Sequence, residues 1–472
     1  MPQTVPLTLA EVVRGTHGAL VGGPLDAVVT GVTIDSRSAA PGSVFFAIRG
    51  HHQDGHAFAA DALARGARAL VLTHLPPDLR VSGDVSVLLV DDTTQALGRL
   101  AAFHRRRYAL PVVAVTGSNG KTTTKELAAL VLSRRLRVLK ASGSFNNQWG
   151  LPLTLLGLEP THEAAVIELG MNAPGEIAAL ARIAQPTVGV VTTIASAHVE
   201  FLGSIEGVQK AKGELVEAIP PDGVVILNAD DPLVLGLARQ ARGRVATFGS
   251  SADADVRVAD VVPTADGVTF SLTAGGATVP VRLPLPGRHN AGNAAAAVAV
   301  GQVLGVPLAE AALALAEATP VRGRLVWREA GGIRILDDTY NANPPSLRAA
   351  LDVLRQAADA AGRGRTWVIF GDMLELGTLA EAAHTDAGAW IAAVPVAGLL
   401  TVGRRARAAG GAARAAGCRD VLACDTPEEA ASRLAPRLLA GDRVLVKGSR
   451  GMRMERAVEI LLGELGAGVA RC

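Results

Sequence analysis

The strongest constraint on the fold is the stretch TGSNGKTTTK at residues 116–125. The β-branched run VVAV precedes it, and a helical pattern, ELAALVL, follows it. Glycines in such a turn let the backbone approach an anion, and the N–H groups and dipole at a helix start favour a phosphate there. The stretch therefore predicts a strand, a phosphate-binding loop and a helix that together hold a nucleotide.

This loop is a variant of the eight-residue P-loop pattern. Val115 stands where that pattern has its first glycine, so Gly117 and Gly120 bracket the turn. Lys121 would reach the β- and γ-phosphates, and Thr122 would offer its hydroxyl to Mg²⁺. The alternative is a structural β-turn before an N-capped helix. The loop alone does not name the reaction, because switch GTPases, kinases and ligases share it; the sequence lacks the N-K-x-D motif of GTPases.

Short strand patterns that alternate with helical ones predict an α/β chain of three domains. VVAVTG, AAVIELG, TVGVVTTI, GVVILNAD and RVATFG are typical of parallel strands covered on both faces. Alternation with glycine turns between about 253 and 285 predicts a small antiparallel insertion. We expect a small N-terminal α/β domain at 1–108, a central P-loop parallel-sheet domain at 109–319, and a C-terminal Rossmann-like α/β domain at 320–472.

Composition excludes several classes of protein. The 472 residues suit about two to four domains, and the net charge of +2 leaves no basic stripe for nucleic acid. The N-terminus lacks a signal-peptide pattern, and the longest apolar stretch, AWIAAVPVAGLLTV, is short for a membrane span and predicts a buried helix, a turn and a strand. Cys418, Cys424 and Cys472 show no metal-ligand spacing. We therefore expect a reduced, cytoplasmic protein without nucleic-acid or membrane partners, and a monomer by default.

Three later residues, Glu168, His198 and Lys212, are candidates for the same crevice. Glu168 ends a buried strand pattern, where a carboxylate faces the ligand crevice and suits Mg²⁺; a helix cap or surface acid is the alternative. His198 follows the next strand pattern, although a lone histidine is as readily structural. Lys212 lies fourteen residues further on in a helical pattern, where a solvated lysine is the plain alternative. Only six of the 46 basic residues are lysines, which favours a retained lysine at a position that arginine cannot serve; nucleotide composition of the genome and chance retention at the surface are the alternatives.

Several motifs stand in one order along the chain: TGSNGKTTTK, VIELGMN, SAHVEFLGSIEGVQKAKGEL, LPGRHNAGNAAAA, LDDTYNANP and VKGSR, after an N-terminal DSR and FFAIRGHHQDGHAF. This ordered set resembles the Mur ligases, the ATP-dependent amino-acid ligases of peptidoglycan precursor synthesis. The match covers essentially the whole chain. It implies an ATP- and Mg²⁺-dependent ligase that forms an amide bond through an acyl phosphate.

The resemblance implies roles for individual residues. The implied nucleotide-binding residues are Thr116, Gly117, Ser118, Asn119, Gly120, Lys121, Thr122, Thr123, Asn290 and Asn293 on the adenine side, Arg324 at the phosphates and Asp338 at the ribose. The implied ligands of two Mg²⁺ ions are Thr122, Glu168, His198 and Lys212, with the lysine carbamylated on its side-chain nitrogen. The implied catalytic set is Lys121, Glu168, His198, Lys212 and Arg324.

Within the family, the chain looks most like the member that joins D-alanyl-D-alanine to UDP-N-acetylmuramoyl-tripeptide. The implied uridine-side residues are Ser36, Arg37, Gly50, Asp54 and His56, for which turn residues or surface salt bridges are the alternative. The other implied substrate residues are Asn146 and Asn147, then Tyr340, Asn341, Asn343, Lys447 and Ser449 around the amine donor. The diaminopimelate-adding ligase carries D-N-P-R, whereas YNANPPSLR has no arginine directly after Pro344, which favours the dipeptide donor.

Two rival interpretations remain at this stage. A folylpoly-γ-glutamate synthetase would share Lys121, Glu168, His198 and Lys212, but it would not need the N-terminal domain that this chain contains. A non-catalytic nucleotide-sensing or scaffold protein would keep the fold, yet the intact set of charged residues argues against such a loss of activity.

Overall fold

The computed structural model describes residues 7–50, 52–195, 199–264 and 266–469. Within these ranges the strands form three large sheets and one two-stranded pair. Among the same residues, no helix combines the length and the apolar character that a bilayer crossing requires.

The first sheet lies in the N-terminal part of the chain. Its elements are β1 (Leu7–Thr8), α1 (Leu9–Thr16), β2 (Ala19–Gly22), β3 (Val28–Val29), β4 (Gly31–Thr33), β5 (Ser43–Phe46), α2 (Ala59–Ala64), β6 (Ala69–Leu72), β7 (Ser86–Leu89) and α3 (Thr93–Arg105). The sheet order is β2-β7-β6-β5-β4, and β1 pairs separately with β3. Only the β2–β7 pair of this sheet is antiparallel. The runs SVFF of β5 and ALVL of β6 are buried along their whole length, as expected of parallel strands in the middle of a sheet that is covered on both faces.

The second sheet forms the central part. Its elements are β8 (Val112–Thr116), α4 (Lys121–Leu132), β9 (Val138–Lys140), α5 (Gly150–Leu155), β10 (Ala164–Glu168), α6 (Glu176–Ala184), β11 (Val188–Val191), α7 (Val199–Leu202), α8 (Ile205–Ala218), β12 (Val224–Asn228), α9 (Pro232–Leu235), β13 (Arg244–Gly249), β14 (Val256–Pro263), β15 (Val268–Ala274), β16 (Ala277–Leu283), α10 (His289–Val303) and α11 (Leu308–Leu315). The order is β16-β15-β14-β13-β12-β11-β8-β10-β9.

The antiparallel strands predicted between 253 and 285 extend this sheet. β14 pairs in parallel with β13, and it then continues into the antiparallel strands β15 and β16. Helix α10 covers this junction, since its alanines pack in one cluster with side chains of α4, β13 and β14. The insertion therefore shares the core of the central part.

The strand order explains where a ligand crevice forms. β8 lies between β10 and β11, and the chain leaves β8 toward β9 on one side before it crosses to β11 on the other. In a parallel sheet, ligands bind outside the carboxyl ends of the strands at such a reversal. The loops that follow β8, β10 and β11 therefore meet at one crevice.

The third sheet forms the C-terminal part. Its elements are β17 (Val326–Ala330), β18 (Ile333–Asp338), α12 (Pro344–Ala361), β19 (Thr366–Gly371), α13 (Ala380–Ala392), β20 (Gly398–Val402), α14 (Ala406–Ala415), β21 (Val421–Cys424), α15 (Pro427–Leu434), β22 (Arg443–Lys447) and α16 (Glu455–Val469). The order is β17-β18-β22-β19-β20-β21, and only β17 is antiparallel to its neighbour. The apolar stretch from Ala389 forms the end of α13, a turn and β20, as its sequence predicts.

The N-terminal and central parts share a core. Side chains of α3 pack in one buried cluster with those of α5 and α6. At the end of α3, the guanidinium group of the buried Arg105 donates to the carbonyl oxygens of Ala184, Tyr108 and Leu110 at 3.0, 2.6 and 3.1 Å. These bonds hold the connection between α3 and β8 against α6.

We expect Arg105→Met to lower the melting temperature, because it leaves several buried carbonyl oxygens without a donor. Each loss of this kind costs about 1–3 kcal/mol. Calorimetry at one scan rate measures the effect, with Arg106→Met as the control because Arg106 is exposed. Equal melting temperatures for the two variants would contradict this account of the junction.

Candidate functional site

The loop between β8 and α4 depends on two glycines. Gly117 and Gly120 have φ angles of 145° and 84°, in the region that favours glycine. A Cβ atom on Gly117 would overlap Oγ1 of Thr192, and one on Gly120 would overlap Oδ1 of Asn293. The loop therefore packs too closely on its neighbours to carry side chains at these positions.

The buried carboxylate of Glu168, at the end of β10, is the centre of the site. Its Oε2 accepts a hydrogen bond from Thr122 Oγ1 at 2.7 Å, and its Oε1 accepts one from Asn146 Nδ2 at 2.7 Å. Arg324 reaches in from the C-terminal part and donates from Nη2 to Thr122 Oγ1 at 2.8 Å. The structure thus joins residues that the sequence separates by up to 202 positions.

Two lysines lie close to this centre. Lys121 donates from Nζ to the carbonyl oxygen of Gly117 at 2.8 Å. Burial lowers the pKa of Lys121, while the Glu168 carboxylate opposes that shift and Arg324 adds to it. Burial lowers the pKa of Lys212, on α8, well below its usual range, and the charge of Lys121 acts in the same direction. The neutral form of the Lys212 amine is therefore more populated at a given pH than that of a solvated lysine.

Two cavities border the phosphate loop. The first cavity, of about 700 Å³, is lined by the predicted residues Asn119, Gly120, Thr123, Asn290, Asn293, Arg324 and Asp338. The second cavity, of about 680 Å³, is lined by the predicted residues Ser118, Asn119, Gly120, Lys121, Asn146, Asn147, Glu168, Lys212, Arg324, Asp338, Tyr340, Asn341, Asn343 and Lys447. Both cavities share Asn119, Gly120, Arg324, Asp338 and Ser346, so a ligand in each would meet at the loop.

The asparagines of α10 build the wall of the first cavity. Asn293 donates from Nδ2 to Asn290 Oδ1 at 2.8 Å, and Asn290 donates to the carbonyl oxygen of Pro286 at 2.7 Å. Asn293 also accepts from Thr124 Oγ1 at 3.3 Å. The first two bonds order the start of α10, and the third connects it to the first turn of α4, which follows the phosphate loop.

Sequence reasoning missed the threonine pair after β11. The carbonyl oxygen of Thr193 accepts from the N–H group of Ser118 at 2.7 Å, and its Oγ1 accepts from Asn119 N at 3.1 Å. Thr192 donates from Oγ1 to the carbonyl oxygens of Asn119 and Thr116 at 2.5 and 3.2 Å. Two polar residues at the end of a buried strand were the available signal. Asn228, Asp230 and His289 of the first cavity were missed as well.

The C-terminal part contacts the phosphate loop directly. Asn343 caps the start of α12 and donates from Nδ2 to Asn119 Oδ1 at 2.8 Å. The hydroxyl of Tyr340 hydrogen-bonds with Ser144 Oγ. The guanidinium group of Arg324 lies over the Tyr340 ring, 4.2 Å from its centre. These contacts hold the C-terminal part over the second cavity.

Asp338 and Lys447 form an ion pair at the ends of β18 and β22. Lys447 also donates from Nζ to the carbonyl oxygen of Asn341 at 3.0 Å. Ser449 does not line either cavity within the described residues, but it donates to the carbonyl oxygen of Ala342 at 3.3 Å. Asp338 faces both cavities. Its carboxylate, which is expected to bind the ribose, is paired here with the ammonium group of Lys447.

The predicted uridine-side residues lie elsewhere. In the described part of the chain, neither cavity is lined by Ser36, Arg37, Gly50, Asp54 or His56. Arg37 is 82% exposed and pairs with Asp35 at 2.7 Å. The ring of the buried His56 accepts at Nε2 from Thr73 N at 2.9 Å, so its Nδ1 donates to Asp54 at 2.6 Å. The structure shows local contacts for this set and does not bring it to the phosphate loop.

The expected metal ligands fit Mg²⁺ only in part. His198 lies outside the described residues. Among the residues that are described, no three His, Cys, Asp or Glu side chains come together as a metal site. The hydroxyl of Thr122 and the carboxylate of Glu168 are adjacent oxygen ligands, which is the chemistry that Mg²⁺ prefers when phosphate oxygens complete its shell.

Comparisons with known proteins agree with this geometry. Three family models match the chain: "Mur ligase family, catalytic domain" at residues 28–105, "Mur ligase middle domain" at 115–301 and "Mur ligase, glutamate ligase domain" at 323–450. The UDP-N-acetylmuramoyl-tripeptide–D-alanyl-D-alanine ligase of Escherichia coli K12 is 38% identical over 463 residues, which cover 97% of this chain and 98% of the relative.

Solved structures also match over nearly the whole length. A crystal structure of MurF from Acinetobacter baumannii superposes with a TM-score of 0.86 at 34% identity, covering 98% of this chain and all (100%) of that one. The MurF ligase of Thermotoga maritima in complex with ADP superposes with a TM-score of 0.78 at 30% identity, covering 93% and 98% of the two chains.

We expect Gly117→Ala to weaken ATP binding about 10- to 100-fold, because the new methyl group strains the loop at a positive φ and displaces Thr192. Titration calorimetry with a non-hydrolysable ATP analogue measures the change. Gly411→Ala is the control, since a Cβ there, on α14, meets no atom within 4 Å. Similar analogue affinities for both variants would show that the loop does not hold the phosphates.

Proposed function

The chain belongs to the Mur ligase family, and we propose that it joins D-alanyl-D-alanine to UDP-N-acetylmuramoyl-tripeptide at the expense of ATP. The product is the UDP-N-acetylmuramoyl-pentapeptide from which peptidoglycan is built, so the reaction serves cell-wall synthesis, cell shape and division in the cytoplasm. The observation that carries the proposal is the hydrogen-bonded junction of Thr122, Glu168 and Arg324, in which Glu168 lines the second cavity and Arg324 lines both.

The reaction proceeds in two steps. The terminal carboxylate of the tripeptide attacks the γ-phosphorus of ATP. The bond between the γ-phosphorus and the oxygen that bridges it to the β-phosphate breaks, ADP departs, and the tripeptide becomes an acyl phosphate. The amine of D-alanyl-D-alanine then attacks the acyl carbon, inorganic phosphate leaves with the bonding electrons, and the amine loses a proton. ATP fits the first cavity, and the peptide carboxylate and the amine fit the second.

The cations of the site serve the first step. A carboxylate and a triphosphate repel each other. Arg324 lines both cavities and Lys121 lines the second beside the phosphate loop, so both cations lie where that repulsion arises. Preorganised charges stabilise a transferring phosphoryl group without the cost of reorganising water. Thr122 and Glu168 would hold Mg²⁺, which supplies further positive charge at the phosphates when bound.

We further assign a carbamate to Lys212. A neutral amine adds to CO₂ and loses a proton, which turns the lysine into an anion. The burial of Lys212 and the nearby charge of Lys121 favour the neutral amine that this step requires. The resulting carbamate would face the second cavity and would hold a second Mg²⁺ together with His198.

We assign one role to each of the three parts of the chain. Residues 1–108 would hold the uridine diphosphate end, where the exposed guanidinium group of Arg37 suits a phosphate. Residues 109–319 would bind ATP, and residues 320–472 would bind the amine donor and close the site as a monomer. Each large sheet takes its strands from one of these ranges, which supports the division. In the third range, Pro345 follows Pro344, so the arginine of the D-N-P-R motif, which would pair with a side-chain carboxylate on the donor, is absent from this position.

Folylpoly-γ-glutamate synthesis is the weaker alternative. The family model that matches residues 28–105 covers the N-terminal part that such an enzyme would not need. The full-length similarity to D-alanyl-D-alanine ligases favours the peptidoglycan reaction.

We expect phosphate release from ATP to require both UDP-N-acetylmuramoyl-tripeptide and D-alanyl-D-alanine, because the acyl phosphate is protected from water until the amine arrives. A phosphate assay with each substrate omitted in turn, followed by mass spectrometry of the product, makes the measurement. Release with another amine donor would keep the ligase chemistry and overturn the assignment of the dipeptide. Tripeptides ending in diaminopimelate or lysine, compared in the same assay, define the peptide preference.

We expect Lys212→Ala to lower turnover about 100-fold or more, because it removes a charge and a metal ligand. Lys210→Ala is the matched control, since Lys210 lies on the same helix and is exposed. In the unmodified chain, ¹³C-bicarbonate should give a carbamate signal by NMR. CO₂ adds only to the neutral amine, so both the signal and the activity should decline as the pH is lowered. An active enzyme with an unmodified Lys212 would disprove the carbamate.

A further inference from the structure

Lys125, the last residue of the TGSNGKTTTK stretch, is a buried cation outside the site described above. Its side chain is fully buried on α4. Its Nζ donates to the carbonyl oxygens of Ala141 and Gly143 at 2.7 and 2.6 Å. It also forms an ion pair with Glu126 at 2.8 Å. One lysine thus ties the helix of the phosphate loop to the segment that follows β9.

That segment, residues 141–149, is here called the clasp loop, and it carries contacts to both sides of the second cavity. Asn146 holds the Glu168 carboxylate at 2.7 Å, and its own carbonyl oxygen accepts from Gly170 N at 2.9 Å. Ser144 meets the hydroxyl of Tyr340 in the C-terminal part. The position of the clasp loop therefore sets where Glu168 and Tyr340 stand.

We propose that Lys125 is a positioning residue that fixes the clasp loop so that the carboxylate of the peptide substrate meets the γ-phosphate. The inference rests on the proposed ligase function. Lys125 lies four residues after Lys121 on the same helix, so its bonds connect the helix that begins at the phosphate loop to the clasp loop. A 1 Å displacement of groups at a reacting centre reduces rates about 100-fold, which is the scale of the expected effect.

The chemistry of the anchor explains why the residue is a lysine. An ammonium group has three donors, and here two bond the adjacent carbonyl oxygens while the third faces Glu126. Burial opposes ionisation of Glu126, but the ammonium groups of Lys125 and Lys140 keep its pKa below the usual range. A charge buried in this way is costly unless its partners are complete, and the partners of Lys125 are complete only with the clasp loop in its present position.

The test compares Lys125→Met with Lys140→Met. Methionine matches the length of the lysine stem without its donors, and Lys140 pairs with the same Glu126 from an exposed position. We expect Lys125→Met to lower turnover about 100-fold and to weaken binding of UDP-N-acetylmuramoyl-tripeptide, with affinity for an ATP analogue unchanged within about threefold. Lys140→Met should stay within about twofold of the unmodified chain in all three measurements.

A double substitution separates positioning from mere support of the fold. If Lys125 acts through the clasp loop, adding Asn146→Ala to Lys125→Met should cost little beyond the larger single effect, because both changes release Glu168. Independent, multiplying effects would overturn the proposal, as would normal turnover of Lys125→Met or an equal loss of ATP and tripeptide binding. If the unmodified chain makes no pentapeptide, the proposed function fails instead, and the tripeptide affinities still decide the role of Lys125.

Discussion

The hydrogen bond from Thr122 to the buried carboxylate of Glu168 joins the phosphate loop to the neighbouring strand and fixes the groups around it. Because Arg324 donates to the same hydroxyl, the position of the C-terminal part depends on this bond as well. Asn146 binds the other oxygen of Glu168 and brings in the clasp loop. One buried carboxylate therefore organises contacts from three separate segments, and its burial makes each of those hydrogen bonds costly to lose.

The balance of charge around that carboxylate suits anionic ligands. Lys121 and Arg324 line the same cavity as Glu168, whereas the charge of Lys447 is already matched by Asp338. Cations buried beside so little negative charge are unfavourable until an anion arrives. Burial, and after it the charge of Lys121, lowers the pKa of Lys212 and favours its neutral form. Nucleotide and peptide substrates supply the missing negative charge, so binding relieves an electrostatic cost that the folded chain carries.

Much of the fold was predictable, because long buried strand runs and the glycine loop give strong local signals. β9 (Val138–Lys140) was not predicted, since two half-buried residues and an exposed lysine at a sheet edge show no periodicity. The strand order places Glu168 beside the phosphate loop, so that neighbour was foreseeable. The bond between Asn343 and Asn119 spans 224 positions, and no pattern in a single sequence reports such a contact. The contacts of Lys125 could not be predicted either, because its partners on the clasp loop are backbone carbonyl groups, which every residue type carries.

Residues of the C-terminal part complete both cavities, so one arrangement of the chain governs both. The first cavity takes part of its wall from α10 and part from Asp338, and the second is bounded by the phosphate loop and Tyr340. Neither is therefore complete unless the C-terminal part rests on the loop through Arg324 and Asn343. Under the proposed reaction, the arrangement that aligns the γ-phosphate with the peptide carboxylate is also the one that shields the acyl phosphate from water. Phosphoryl transfer and protection of its product then follow from one set of contacts.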